Sequence, residues 1–121
     1  ASFPVTEEPG TRWAYQTASS VLLGRVIREV LTDDDAYYHF AQQELFNRLG
    51  ARHSYYQADG AGNYVGGAFL YATPMDWARF GLLYLNHGVL AGQRVLPEGW
   101  VEYSTTPTPA SLKARAYGAQ F

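Results

Sequence analysis

Apolar residues return at helical spacing in three stretches of this chain and in short bursts elsewhere. From about Ser19 to Leu31, Leu22, Leu23, Val26, Ile27, Val30 and Leu31 recur at i, i+4 and i+8, with Arg25, Arg28 and Glu29 on the other side. This spacing predicts an amphipathic helix, with Ser19 or Ser20 as its N-cap. Gly24 inside it costs about 1 kcal/mol against Ala, which points to a close approach by another backbone. A second helix is predicted over Asp35 to Leu49, with Tyr38, Ala41, Leu45 and Leu49 as its stripe, widened by Phe46. Thr32-Asp33-Asp34-Asp35 precedes it as a loop ending in acidic capping residues. Gly50 follows as the residue that accepts the left-handed conformation.

The third helix carries the clearest start signal. Thr73 is the N-cap, Pro74 takes the first helical position, and Asp76 sits near the positive end of the dipole. Trp77, Phe80, Gly81 and Tyr84 share one face, and Asn86-His87-Gly88 closes the helix. Val89 to Leu96 then reads as a small hairpin around Gly92. Pro97 to Ser104 reads as a short helix, and Tyr117 to Phe121 as an incipient strand. Near the start, Pro9-Gly10 is a type II turn signal, and Thr11 to Tyr15 alternates loosely as extended chain. Ala51 to Ala72 has no clean period. A Gly-rich, Tyr-rich loop of that length is more often functional than filler. The predicted class is mainly α, with one hairpin.

Composition narrows the function. The chain has 121 residues, enough for one small segment, and 47% are hydrophobic, so a core can form. The net charge is −2, and the one lysine is Lys113, so no basic patch points to nucleic acid. Cysteine is absent, which excludes disulfides and thiolate metal sites. No apolar stretch reaches the ~18 residues of a membrane span, and no signal peptide opens the chain. His39, His53 and His87 are scattered, with none paired at i, i+4, which speaks against zinc. Asp33 to Asp35 lack the spacing of a calcium loop. No metal or other cofactor is implied. Ala1 to Pro9 reads as the middle of a protein and Tyr117 to Phe121 stops within a strand pattern, so both ends read as cuts.

Several segments, in order, resemble one family. Pro9-Gly10-Thr11-Arg12-Trp13-Ala14-Tyr15-Gln16-Thr17, followed by Leu22-Leu23-Gly24, resembles the second motif of class C β-lactamases, D-alanyl-D-alanine carboxypeptidases and related esterases. Leu49-Gly50-Ala51, Gly66-Gly67 and Asp76-Trp77-Ala78-Arg79-Phe80-Gly81 continue the resemblance. So do Arg94-Val95-Leu96-Pro97 and Trp100-Val101. The branch most resembled is that of carboxylesterases and 6-aminohexanoate-oligomer hydrolases. The resemblance spans roughly the whole chain. No one piece is specific, and the ordered set carries it.

The resemblance implies a segment, residues 1–121, of an α+β serine hydrolase of the β-lactamase and penicillin-binding type. Such an enzyme acts on a small-molecule amide or ester through an acyl-enzyme. The family's nucleophile lies in Ser-x-x-Lys, yet no serine here has a lysine three residues on. Neither a Lys/His-Thr/Ser-Gly triplet nor Gly-x-Ser-x-Gly occurs. The segment alone is therefore expected to lack turnover, and the remainder of the hydrolase domain is its expected partner.

Tyr15 matches the family's motif tyrosine. A phenol is a poor base at neutral pH, but a nearby cation favours phenolate, which can shuttle the serine proton. The other reading of Tyr15 is a buried ring packed behind Trp13. Thr17 stands where the family has Asn or Ser, either bonding a substrate carbonyl or serving as a capping hydroxyl. That departure lowers the fit to β-lactams, because a hydroxyl cannot fully mimic an amide. Tyr55, Tyr56 and Asp59 either line the substrate cleft or pack their own loop. Gly66 and Gly67 are expected to let the backbone turn. Trp77 and Trp100 are expected in core or interdomain packing. A non-catalytic binding or interaction module on the same scaffold is the competing reading. In a third, the chain pairs with a separate one, and a contiguous apolar helix face would mark that interface.

Overall fold

The computed structural model describes residue 4, residues 6–113 and residues 116–120. The element order is α1 (Thr17–Leu31), α2 (Asp34–Ala41), a π-helical turn (Gln42–Phe46), α3 (Asn47–Leu49), β1 (Tyr55–Tyr56), β2 (Leu70–Tyr71), α4 (Pro74–Leu85), β3 (Val89–Leu90), β4 (Gln93–Arg94) and α5 (Trp100–Thr105). The chain is helix-rich, with two small antiparallel sheets, β1 with β2 and β3 with β4.

The chain enters through the expected Pro9-Gly10 turn. Gly10 has φ 82°, and the Thr11 N–H donates to the Glu8 carbonyl at 3.2 Å. Residues 12–16 follow without regular structure. Helix α1 then starts two residues earlier than the apolar period suggests. Its N-cap is Gln16, in an extended conformation and with no side-chain cap. Ser19 and Ser20 are not caps, because both already lie in the helix, where the Ser19 N–H donates to the Gln16 carbonyl. None of the α1 residues is buried, so Leu22, Leu23, Val26 and Val30 form an exposed apolar face.

The second expected helix forms as one continuous run from α2 through α3, starting at Asp34. Asp33 is its N-cap and accepts from the Asp35 and Ala36 N–H groups. Its inward tyrosine is Tyr37, not Tyr38, which stays exposed. Tyr37, Ala41, Leu45 and Leu49 repeat every four residues, a step that drifts by about 40° per repeat on an α-helix. The π-helical turn widens the helix and offsets that drift, which keeps the four residues on one face. Gly50, at φ 64°, ends the run. Its N–H donates to the Asn47 carbonyl and the Ala51 N–H to that of Phe46, the paired bonds of a Schellman closure.

Phe46, Leu49, Ala51 and Leu83 form the core, with Ala41, Leu45, Phe80, Leu90, Val95 and Leu96 packed around them. Helix α4 begins as expected at Thr73, whose hydroxyl accepts the Asp76 N–H at 3.2 Å. The β3–β4 hairpin turns at Ala91 and Gly92, both with positive φ, as a two-residue turn of matching twist requires. Helix α5 starts at Trp100 rather than Pro97, because Gly99 at φ 77° breaks the helical path before it. Tyr117 to Gln120 forms no strand ladder. Its backbone groups are committed elsewhere: the Ala119 N–H donates to the Ser104 carbonyl at 2.9 Å, and the Tyr117 carbonyl accepts from Thr108 at 3.0 Å. Phe121 lies outside the described residues.

Candidate functional site

An open groove of about 610 Å³ runs along the N-terminal end of α1. One side is the segment from Trp13 to Thr17. The other is the stretch from Gly66 to Leu70, with Tyr56 and Trp77, and residues 117–120 complete the lining. Close backbone approach holds the two sides together. A Cβ added to Gly66 would stand 2.2 Å from the Ser20 carbonyl oxygen, and one on Gly67 would stand 2.8 Å from the Thr17 methyl. The two glycines also turn the chain as expected, since the Ala68 N–H donates to the Val65 carbonyl at 3.0 Å across them, and a turn of this kind needs no positive φ. Gly24 packs in the same manner, with its added Cβ 3.3 Å from the Tyr64 carbonyl.

Tyr15 lines the groove and is 71% exposed. Its ring meets Tyr117 edge-on, with centroids 5.7 Å apart, and Trp13 packs on that same Tyr117 at 5.6 Å. Tyr15 thus stands beside Trp13 on a shared ring instead of buried behind it. The Tyr117 phenol is pushed above its ordinary value, by burial first and then by the negative charge Tyr15 would carry. Thr17 is exposed and lines the groove as the first residue of α1.

The structure brings Tyr56 into the same groove but leaves Tyr55 and Asp59 outside its lining. The Tyr56 hydroxyl donates to the Val65 carbonyl at 2.9 Å, and its ring stacks on Tyr64 at 4.5 Å. Burial, then the nearby Tyr37 and Tyr64 phenols, push the Tyr56 phenol up, so it stays protonated. Tyr55 stacks on Tyr71 at 6.4 Å. The Asp59 carboxylate accepts from the Ala61 and Asn63 N–H groups at 2.9 and 2.8 Å, and so closes its own loop.

A family model described as Beta-lactamase matches residues 1–121. The chain belongs to the Beta-lactamase family. Its superfamily is that of the serine hydrolase-like proteins. No curated protein matches the chain closely enough to count as a relative.

In this Beta-lactamase-family chain, two polar hubs outside the groove's lining tie distant stretches together, with partners that the sequence does not announce. The Arg28 guanidinium donates to the Gly62 carbonyl, to Asn63 and to Asp34 at 2.8, 2.9 and 2.7 Å. It also lies over the Tyr37 ring at 5.1 Å, so it joins α1, α2 and the irregular loop. Burial works against its charge, but Asp34 outweighs that and holds its pKa above the ordinary value. The helical period puts Arg28 on a polar face, and only the returning loop gives it partners.

Asp76 is the second hub, 2% exposed. It accepts from the His53 N–H at 3.0 Å, the Ser54 hydroxyl at 3.4 Å and Arg79 at 2.7 Å. Burial alone would raise its pKa. The His53 N–H, the Thr73 hydroxyl and Arg79 outweigh that and hold the carboxyl below its ordinary value. Asp76 therefore ties the start of the irregular region to α4, beyond its role at the helix dipole.

Trp77 lines the groove and is about half exposed, not part of the core. Trp100 is likewise exposed and packs against Tyr103. Phe69 also lines the groove, with φ 65°. Its name alone carries no such signal. His39 is exposed on α2, and His87, just past α4, meets Glu102 at 2.6 Å. Among the described residues no group of three or more His, Asp or Glu could hold a metal ion, and no helix is long and apolar enough to cross a membrane.

Proposed function

We propose that the chain is the part of a serine hydrolase that presents Tyr15 to an amide or ester substrate during acyl transfer. The observation that carries this reading is the open position of Tyr15 in the groove, with Thr17 and Tyr56 on the same lining. The nucleophile is a serine hydroxyl from the remainder of the hydrolase domain, since no serine here is followed three residues on by lysine. With a cation from that remainder beside Tyr15 to favour its phenolate form, the serine oxygen attacks the substrate carbonyl carbon while the serine proton passes to the Tyr15 oxygen. Tyr15 returns that proton to the departing oxygen or nitrogen as the acyl bond breaks. Water then attacks the acyl-enzyme and gives a proton to Tyr15, which passes it back to the released serine oxygen.

The exposed apolar face of α1, carrying Leu22, Leu23, Val26 and Val30, supports a packing surface for that remainder. It also favours the competing reading, a binding module that docks another protein there. The flanking coding sequence separates them: Ser-x-x-Lys upstream supports the enzyme, and its absence supports the module. In a gene product that carries Ser-x-x-Lys, Tyr15→Phe should lower kcat on nitrophenyl esters by about 10²-fold with little change in KM. Full activity in that variant would overturn the assignment of Tyr15. The 121-residue chain alone should turn over neither nitrophenyl esters nor nitrocefin.

A further inference from the structure

We infer that Phe69 is the ring wall of a subsite for a flat, uncharged group, an aryl group above all, on the ester or amide that enters the groove. The inference rests on the hydrolase reading above and gives it a substrate class.

The first observation is backbone strain at Phe69. Its φ is 65°, a left-handed conformation that a bulky side chain rarely adopts. Among the described residues, Ala116 and Gln120 share that conformation in the C-terminal stretch without regular structure, and three others stand at the ends of elements. Thr32 and His87 end helices, and Ala91 turns a hairpin. Phe69 stands where the chain leaves the turn from Val65 to Ala68 and enters β2, a place that a residue free of strain at positive φ, such as glycine, would fill more cheaply. It is held there from both sides. Its carbonyl accepts the Gln57 N–H at 3.0 Å, and the Ala68 N–H before it donates to Val65 at 3.0 Å.

The second observation is what the strained residue presents. The Phe69 ring is 48% exposed and lines the groove, as do the exposed rings of Trp77 and Tyr15. A large apolar ring left half in water loses little by covering a ligand and gains the area that the ligand removes from water. The third is charge. Among the described residues that line the groove none is charged, and its polar groups are amides, hydroxyls and backbone. A neutral carbonyl compound can exchange its water bonds for these. A carboxylate would lose hydration with no opposite charge from these residues to offset it.

The test uses two ligands of one shape, acetanilide and 4-acetamidobenzoate, which differ by a carboxylate. Binding to the 121-residue chain is followed by tryptophan fluorescence, because Trp13 and Trp77 line the groove. Acetanilide should bind at least about tenfold tighter than the carboxylate, and Phe69→Gly should weaken it by about tenfold. Phe69→Tyr should keep the affinity. Phe69→Gly and Phe69→Asn, which both tolerate positive φ, should raise the thermal midpoint by about 4 °C while losing the ligand. Stability that rises as binding falls is a signature that a merely structural Phe69 would not produce. Equal binding of the two ligands, or unchanged acetanilide affinity in Phe69→Gly and Phe69→Asn, overturns the subsite. Those results leave the Tyr15→Phe comparison untouched. Conversely, hydrolysis that ignores Tyr15 removes the hydrolase reading and leaves the binding result standing.

Discussion

Arg79 donates to the buried carboxylate of Asp76 at 2.7 Å, one helical turn back along α4. The same carboxylate receives the His53 N–H from outside the helix. The pair therefore couples the start of α4 to the start of the irregular loop, and its strength depends on Asp76 staying ionised.

That dependence predicts an acid-side effect. The folded-state pKa of Asp76 lies below its ordinary value of 3.8. The stability it contributes is then fully present above about pH 4 and is lost as pH falls through the lower folded value. Asp76→Asn removes the titration. Urea midpoints measured from about pH 5 down to pH 2 should fall more steeply in the parent chain than in Asp76→Asn. Parallel curves would show that the carboxylate contributes nothing through ionisation.

A second prediction concerns the contact between Gly66 and α1. Gly66→Ala places a methyl against the Ser20 carbonyl, and should cost about 2 kcal/mol by urea denaturation. Gly60, whose added Cβ would meet nothing within 4 Å, is the control, and Gly60→Ala should stay within about 0.5 kcal/mol of the parent. Equal effects at the two positions would mean that the loop does not press on α1 as described.

Tyr37 offers a hydrogen-bond test. Its buried hydroxyl accepts the Tyr64 N–H at 2.8 Å. Tyr37→Phe leaves that donor without its acceptor and should cost about 1–2 kcal/mol. The Arg28 contact over the ring survives in Phe, so Tyr37→Leu should cost more. Faster amide exchange at Tyr64 in Tyr37→Phe would accompany the loss, and an unchanged rate would argue against the bond.

The two amphipathic helices should respond very unequally to truncation. Leu83 on α4 is fully buried, so Leu83→Ala should cost about 3 kcal/mol. Leu22 on α1 is 64% exposed, so Leu22→Ala should change stability by no more than about 0.5 kcal/mol. If the two losses were alike in the isolated chain, the exposed face of α1 would have to be covered in solution.

Much of the local structure is legible along the chain. Thr73-Pro74 with Asp76 starts α4, Gly50 ends α3, and Pro9-Gly10 turns, because each depends on groups within a few residues. The start of α1 is less legible, since Gln16 caps it with backbone conformation alone. The β1–β2 pairing was hidden as well, because Tyr55 and Tyr71 meet across a loop without a period. At the site, the order of motifs singled out Tyr15 and Thr17. The same reading grouped Tyr55 and Asp59 with Tyr56, although only Tyr56 reaches the groove. Neighbours in sequence on an extended segment point to opposite sides, and the irregular loop gave no register to tell which side faces in.

By itself, the order of residues determined where most helices start and stop, which stretches could bury a face, and which family the motifs resemble. Those depend on hydrogen bonds and side-chain spacing that act within one or two turns. Only the tertiary structure decided that Tyr37 rather than Tyr38 turns inward, that Arg28 and Asp76 become hubs, and that Phe69 holds a left-handed conformation at the groove. Each of these depends on a partner far along the chain. Its burial and its missing or gained hydrogen bonds exist only once the loop from Ala51 to Ala72 has closed over the helices.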